Sequence, residues 1–217
     1  MRKIFLASIG ILFTLFIYDV TYAQEKDISS YVSLGIGYSI PNTQTDNDND
    51  QFEFKKGIVT KGSVGYVFKT SSLINFRSEL EISYRRYEAD NSPEGGISHE
   101  LDGNITYLTG MINGLLDFKT GTKWSPFAGV GIGLSQVSWN SIKFKDGTTS
   151  PVDDSDNVFA YQGIVGLAYD VAESWKIDLE YRYFHANDTT LTGDNGAKAS
   201  LNSNTNHSVI IGTRYSF

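Results

Sequence analysis

Eight stretches of alternating apolar and polar residues, joined in turn by long polar segments and brief ones and preceded by a short apolar leader, predict the fold class. It is all-β: an eight-stranded antiparallel transmembrane up-and-down β-barrel with short periplasmic turns and four longer extracellular loops. Alternation carries the strand assignment, because successive side chains of a strand point to opposite faces of a sheet. The rhythm of the connections carries the topology, since membrane barrels have turns on one rim and loops on the other. The leader carries the compartment.

Residues 1–23 have the build of a secretory signal. Arg2 and Lys3 supply the basic start, residues 4–17 a nearly unbroken apolar run, and Thr21 and Ala23 the small residues of a cleavage site. The run is short of the roughly 20 residues that a membrane-spanning helix needs. Gln24, not Cys, follows the cleavage point, so no lipid anchor is expected. The predicted division is a cleaved signal peptide at 1–23 and one barrel domain over 24–217. Loss of Arg2, Lys3 and Asp19 leaves the mature chain one unit more negative than the formal −7. That balance argues against nucleic-acid partners, which need basic stripes. No cysteine is present, so no disulfide can staple the exported domain. Tyr and Phe number 13 each and Gly 21 against only 4 Pro, a composition suited to strands. After the leader no segment resembles a transmembrane helix, so a membrane crossing would require a closed barrel.

In chain order, residues 30–40 place Val32, Leu34, Ile36, Tyr38 and Ile40 on one face and Ser33, Gly35, Gly37 and Ser39 on the other. This matches the about 9–11 residues of a crossing strand. Residues 42–51 form a polar loop. Strand 57–68 sets Ile58, Val64, Tyr66 and Phe68 against Lys61, Ser63 and Gly65, and 69–72 is a turn. Strand 74–87 is the most regular. Ile74, Phe76, Leu80, Ile82 and Tyr84 oppose Asn75, Arg77, Glu79, Glu81, Ser83 and Arg85. A row of charges cannot enter an ordinary apolar core without a large desolvation cost.

A polar loop over 88–103 leads to strand 105–118, with Leu108, Ile112, Leu116 and Phe118 set against Tyr107, Thr109, Asn113 and Asp117. Met111 and Leu115 then fall on the polar face, which leaves the register open. After the turn at 120–122, strand 125–139 alternates Ala128, Val130, Ile132 and Leu134 with Gly129, Gly131, Gly133 and Ser135. No helix follows this glycine run, so it is read as space inside a narrow barrel, not as a phosphate loop. Loop 140–157 precedes strand 158–171, where Phe159, Tyr161, Val165, Leu167 and Tyr169 oppose Gln162, Gly166 and Asp170. A turn at 172–174 leads to strand 175–184: Trp175, Ile177, Leu179, Tyr181 and Tyr183 against Lys176, Asp178, Glu180 and Arg182. Loop 185–205 leads to the last strand, 207–217, with Val209, Ile211, Tyr215 and Phe217 against Ser208, Ile210, Gly212 and Arg214.

Alternation alone does not say which face is inward, and a soluble lipocalin-like barrel would put the apolar face inside. Tyr and Trp gather at the ends of the apolar faces, as interfacial girdles do, and the opposing face carries both signs in near balance. The expectation is therefore apolar outward. The segment 159–170, the Tyr181-Arg182-Tyr183 pattern, the Pro126-to-Gly131 stretch and the terminal Tyr215 and Phe217 resemble the outer-membrane β-barrel domain family of OmpA, OmpX and opacity-like porins. The strand carrying Gly110 to Gly114 departs from the commoner proline-containing form. The resemblance implies residence in the outer membrane of a Gram-negative bacterium, among its lipids and lipopolysaccharide. It also implies that the barrel-assembly machinery reads Tyr215 and Phe217 as an assembly signature.

The unusual constellation is the set of lumen charges Lys61, Arg77, Glu79, Glu81, Arg85, Lys176, Asp178, Glu180, Arg182 and Arg214. It reads as a plug of mutual salt bridges or as the lining of a narrow ion or solute path; eight strands leave an interior barely wide enough for side chains, which favours the plug. A lipid-modifying enzyme is the competing class, through a rim histidine: His185 at the loop end of its strand and His207 at the start of the last are both expected near Ser208 and Asp188, but no hydrolase motif surrounds them. Asp46 to Asp50 resembles the start of a calcium loop, yet Gln51 and Gly57 stand where the motif needs Gly and Glu. No cofactor, metal or catalytic residue is expected. The expected product is a monomeric barrel with a structural or surface-interaction role, its loops open to an extracellular ligand of unknown chemistry.

Overall fold

The computed structural model describes residues 28–42, 44–45, 51–94, 97–144, 152–187, 189–192, 198–201 and 204–217. The leader, Asp46 to Asp50 and Asp188 lie outside them. The strands are β1 (Ile28–Pro41), β2 (Gln44–Thr45), β3 (Gln51–Phe54), β4 (Gly57–Lys69), β5 (Ile74–Glu94) and β6 (Ile97–Phe118). There follow β7 (Trp124–Phe144), β8 (Val152–Asp170), β9 (Trp175–Ala186), β10 (Thr189–Thr192), β11 (Lys198–Leu201) and β12 (Asn204–Ser216). Eight of these close a ring in the order β1, β4, β5, β6, β7, β8, β9, β12, every neighbour antiparallel. The ring shuts where β1 meets β12, from Tyr31 opposite Ser216 to Pro41 opposite Asn206. The last residue completes it: Phe217 N donates to Ser30 O at 3.0 Å.

Closure leaves two faces, and exposure identifies them. Tyr38, Val130 and Leu34 are 70%, 69% and 66% exposed, whereas Glu81 and Arg182 are 2% and 1% exposed. The apolar set therefore covers the outside. On β6 the odd-numbered residues 105 to 117 are buried and the even ones face out. Met111 and Leu115 thus sit inside, which settles the register the sequence left open.

Outward aromatics mark both edges of the apolar band. Near the short turns, Trp124 packs on Tyr169 (4.6 Å between ring centroids), Trp175 on Tyr215 (4.9 Å) and Tyr215 on Phe217 (6.2 Å). At the other edge Tyr161 lies against His185 (4.7 Å) and Tyr183 against His207 (5.5 Å). Rings with an apolar body and a polar edge belong at this boundary. The turn between β6 and β7 uses Gly121 at φ +74°, a left-handed conformation that costs glycine little.

The long connections differ from the sequence expectation. Loops were expected over 88–103 and 140–157, but β5 runs to Glu94 with β6 starting at Ile97, and β7 runs to Phe144 with β8 starting at Val152. Register shifts at Glu88/Asn91, Asp102/Asn104 and Trp139/Ile142 mark where these hairpins leave the barrel wall. The expected loop 185–205 likewise contains the β10–β11 ladder. Outside the hydrocarbon both faces of a hairpin meet water, so a ladder persists without the apolar alternation used to find it.

If the outer face meets hydrocarbon, a cation at its middle is costly. Val130→Arg is expected to lower unfolding stability in bilayers by about 2–4 kcal/mol. An unchanged urea midpoint would contradict the assignment of this face.

Candidate functional site

The lumen is built in layers. Alternation on β5 brings Arg77, Glu79, Glu81 and Arg85 inward in one column; β9 does the same with Asp178, Glu180 and Arg182. These strands are four apart in the ring of eight, hence on opposite walls. In the layer nearer the short turns, Arg77 Nε donates to Asp117 Oδ1 (2.9 Å) and Arg214 Nη2 to Asp178 Oδ1 (2.8 Å). Arg214 Nη1 also lies 3.5 Å from Asp117 Oδ2, joining the two pairs. The guanidinium of Arg77 further rests over the rings of Phe127 (4.9 Å) and Tyr31 (5.7 Å).

The next layer crosses the barrel. Arg182 Nη1 donates to Glu81 Oε1 at 2.6 Å and Arg182 Nε to Glu180 Oε2 at 2.8 Å. Lys61 Nζ donates to Glu180 Oε1 at 2.7 Å. Glu79 accepts from Tyr31 Oη (2.7 Å), Asn113 Nδ2 (2.8 Å) and Ser63 Oγ (3.2 Å). Gln162 Nε2 donates to Asn113 Oδ1 at 2.8 Å and its own carbonyl accepts from Arg182 Nη1 at 3.3 Å. A chain of contacts thus runs from Glu79 through both amides to Arg182 and Glu81. Gly131 makes room for it: a Cβ there would collide with Asn113 Oδ1 and press on Gln162. Space inside the barrel is the use this glycine run serves.

Nearer the extracellular side an apolar cluster enters the lumen, a change the sequence reading missed. Tyr87, Ile105, Tyr107, Met111, Val137 and Phe184 pack together there. Tyr107 meets Tyr87 and Phe184 edge-on, at 5.7 and 6.4 Å. Arg85, 0% exposed, lies among them with its guanidinium 4.2 Å from the Phe184 centroid and Nη1 on Ser83 Oγ at 3.0 Å. Its Nε and Nη2 meet no hydrogen-bond partner among the described residues. The available signal was parity: Tyr87 continues the column of Arg85, and Phe184 that of Arg182.

One expected member stands apart and one further residue joins the network. Lys176 lies at the short-turn mouth, half-buried and paired with Asp170, outside the central network. Asp117 was placed inward but not counted among the charges, although it binds two arginines. Tyr215 and Phe217 are outward at the same rim. Below the network a cavity of about 530 Å³ opens to that rim beside Asp117, Lys176 and Arg214.

The expected neighbourhood of the histidines needs correction. His207 faces outward and pairs through Nδ1 with Tyr181 Oη (2.7 Å), while Ser208 points inward to Ser39 (2.8 Å). Adjacent residues of a strand cannot share a face, so the two do not form a catalytic pair. His185 Nδ1 lies 3.1 Å from Thr205 Oγ1.

Apolar girdled exterior, closed antiparallel ring and charged interior define a transmembrane β-barrel of the outer-membrane class. The family model described as outer membrane protein beta-barrel domain matches residues 11–217, and the chain belongs to that family. An outer membrane protein of Gluconacetobacter diazotrophicus is 28% identical over 219 residues, covering 86% of this chain and 57% of its own length. Outer membrane protein PagN of Salmonella typhimurium is 27% identical over 149 residues, covering 63% of this chain and 61% of its own. The chain thus spans less than two thirds of these relatives. Neisserial surface protein A is similar in fold, with a TM-score of 0.57 at 16% identity over 88% of this chain and 100% of its own. OprG of Pseudomonas aeruginosa has a TM-score of 0.58 at 11% identity, over 89% and 98%.

Removing one member of the cross-lumen pair strands a buried charge. Arg182→Ala is expected to cost about 3–5 kcal/mol. The double replacement Glu81→Met with Arg182→Met leaves Glu180 to Lys61 and should cost far less than the two single changes together. Additive losses in that double-mutant cycle would mean the pair is not coupled.

Proposed function

We propose that this outer-membrane protein is a non-catalytic, non-conducting barrel whose lumen is a structural plug. Its surface role is carried by the hairpins and connections above the extracellular rim, which meet whatever the cell encounters and the lipopolysaccharide around them. The observation that carries this reading is the Glu81–Arg182 contact of 2.6 Å between opposite walls. A direct side-chain bridge leaves no width for a hydrated ion at that level, and the rings of Tyr87, Tyr107 and Phe184 pack in the lumen above it. The outward His207 and inward Ser208 weigh against a rim enzyme.

Planar-bilayer recording decides between plug and pore. The intact protein should show no steady single-channel conductance; ion-selective steps altered by Glu81→Gln would establish a channel instead.

We further propose that Tyr215 and Phe217, outward at the short-turn rim of β12, are what the assembly machinery engages. Phe217→Asp should sharply reduce heat-modifiable, folded protein in outer-membrane fractions, whereas Ser216→Asp should leave most of it assembled. Equal yields would remove any special role for the terminal aromatic.

A further inference from the structure

We infer that the ion pair of Lys61 and Glu180 is a latch on the closing seam of the barrel, reaching across the β1–β12 ladder from inside and setting how readily that ladder opens. Every other ladder of the ring joins strands that follow one another around it in chain order and share a connection. The β1–β12 ladder shares none: Ser39 and Ser208, opposite each other within it, are 169 positions apart. Closing it costs the most chain entropy, and no turn holds its edges together once the backbone bonds part. Those edges must also stay hidden, because an open edge in hydrocarbon leaves amides without partners.

The inner face of this seam is bare at the level where the latch crosses. Gly35 of β1 is opposite Gly212 of β12, and both alternate with outward residues, so the lumen side of the pair carries no side chain. Close packing keeps it so: a Cβ on Gly212 would press on Leu34 O at 2.8 Å. Lys61 of β4, opposite Gly35 in the β1–β4 ladder, occupies the space. A Cβ on Gly35 would come within 3.1 Å of Lys61 Cε and 3.2 Å of its Cγ, so the lysine stem lies along the bare backbone. Its Nζ then donates to Glu180 Oε1 at 2.7 Å, and Glu180 is opposite Ile210 in the β9–β12 ladder. One end of the latch is therefore anchored on the strand before the seam and the other on the strand after it. Both residues are buried, so solvent ions do not screen the pair. Glu180, and the more distant Glu81 at 4.0 Å from Lys61 Nζ, both keep Arg182. Loss of the lysine ammonium would thus release the latch without leaving either carboxylate unpaired. A plug needs only a filled lumen; a latch needs its ends on opposite sides of the seam, and this pair meets that condition.

The test is peptide-resolved amide hydrogen exchange on the full barrel in lipid nanodiscs. In the wild type β1 and β12 are expected to exchange as slowly as β6 and β7, although no turn joins them. Lys61→Met keeps the stem over Gly35 and removes the ammonium. It should speed exchange over 32–38 of β1 and 209–215 of β12 about tenfold, and leave 111–117 of β6 and 127–133 of β7 unchanged. Lys176→Met is the charge-matched control: Lys176 pairs with Asp170 within the β8–β9 ladder and should leave β1 and β12 as in the wild type. Heat-modifiable migration checks that each variant is folded, and the wild-type comparison of ladders stands without any variant. Conductance reads the plug and exchange reads the seam, so the two can fail separately. Seam strands that exchange far faster than β6 and β7 in the wild type, an equal rise on every wall in Lys61→Met, no rise at all, or the same seam opening in Lys176→Met would each overturn the inference.

Discussion

Every backbone amide of a segment that crosses hydrocarbon must find its partner within the protein, and this one constraint organises the molecule. With no long apolar helix among the described residues, the barrel can meet it only by closing a sheet on itself, so β12 has to return to β1. Closure fixes the register of all eight walls, and the register fixes parity. Whatever lies between two outward residues is then forced into the lumen, regardless of its chemistry. The column from Arg77 to Arg85 is buried because its neighbours from Phe76 to Tyr84 face lipid.

Burial on that scale is tolerable because the charges balance. Among the described residues the lumen buries five cations, Lys61, Arg77, Arg85, Arg182 and Arg214, with five carboxylates, Glu79, Glu81, Asp117, Asp178 and Glu180. Within the set, Asp117 serves two arginines and Arg182 serves two glutamates, so charge is shared among neighbours. Tyr31, Asn113 and Gln162 take up carboxylate and guanidinium capacity that pairing alone would leave open. Such a network is costly to break at one point and close to neutral as a whole. Arg85 is the exception, held by an aromatic face and one hydroxyl.

Parity was legible in the sequence, and what parity determines could be read from it: eight walls, the inward columns, the outward girdles. What depends on three-dimensional neighbours was not. Asp117 gains its importance from Arg77 and Arg214, which lie 40 and 97 positions away in the chain. The aromatic layer was hidden because Tyr87 and Phe184 are the last residues of the expected strands, where alternation fades. Met111 and Leu115 looked like register errors and are instead apolar members of the interior, Met111 in that layer and Leu115 packed with Phe127 below it. The hairpin extensions beyond Glu88 and Trp139 were invisible for the converse reason: with water on both sides, strand and loop draw on the same polar residues.

A charged lumen also answers a problem that an apolar one would create. Strands apolar on both faces would be continuous hydrophobic segments of up to about 10 residues, several of them separated only by short turns. Such segments pair readily with one another and with other chains while the protein is unfolded in transit. Placing a polar or charged residue at every second position halves the apolar density of each segment, so the unfolded chain keeps hydrated groups along its length. The cost of desolvating those groups falls only when the ring closes, and at that point the partners on the opposite wall arrive with them. The same alternation therefore keeps the chain soluble before assembly and fills its interior afterwards. The apolar layer of Tyr87, Tyr107 and Phe184 can be afforded because it is confined to one end, where each ring is still separated from the next in sequence by an outward or polar residue.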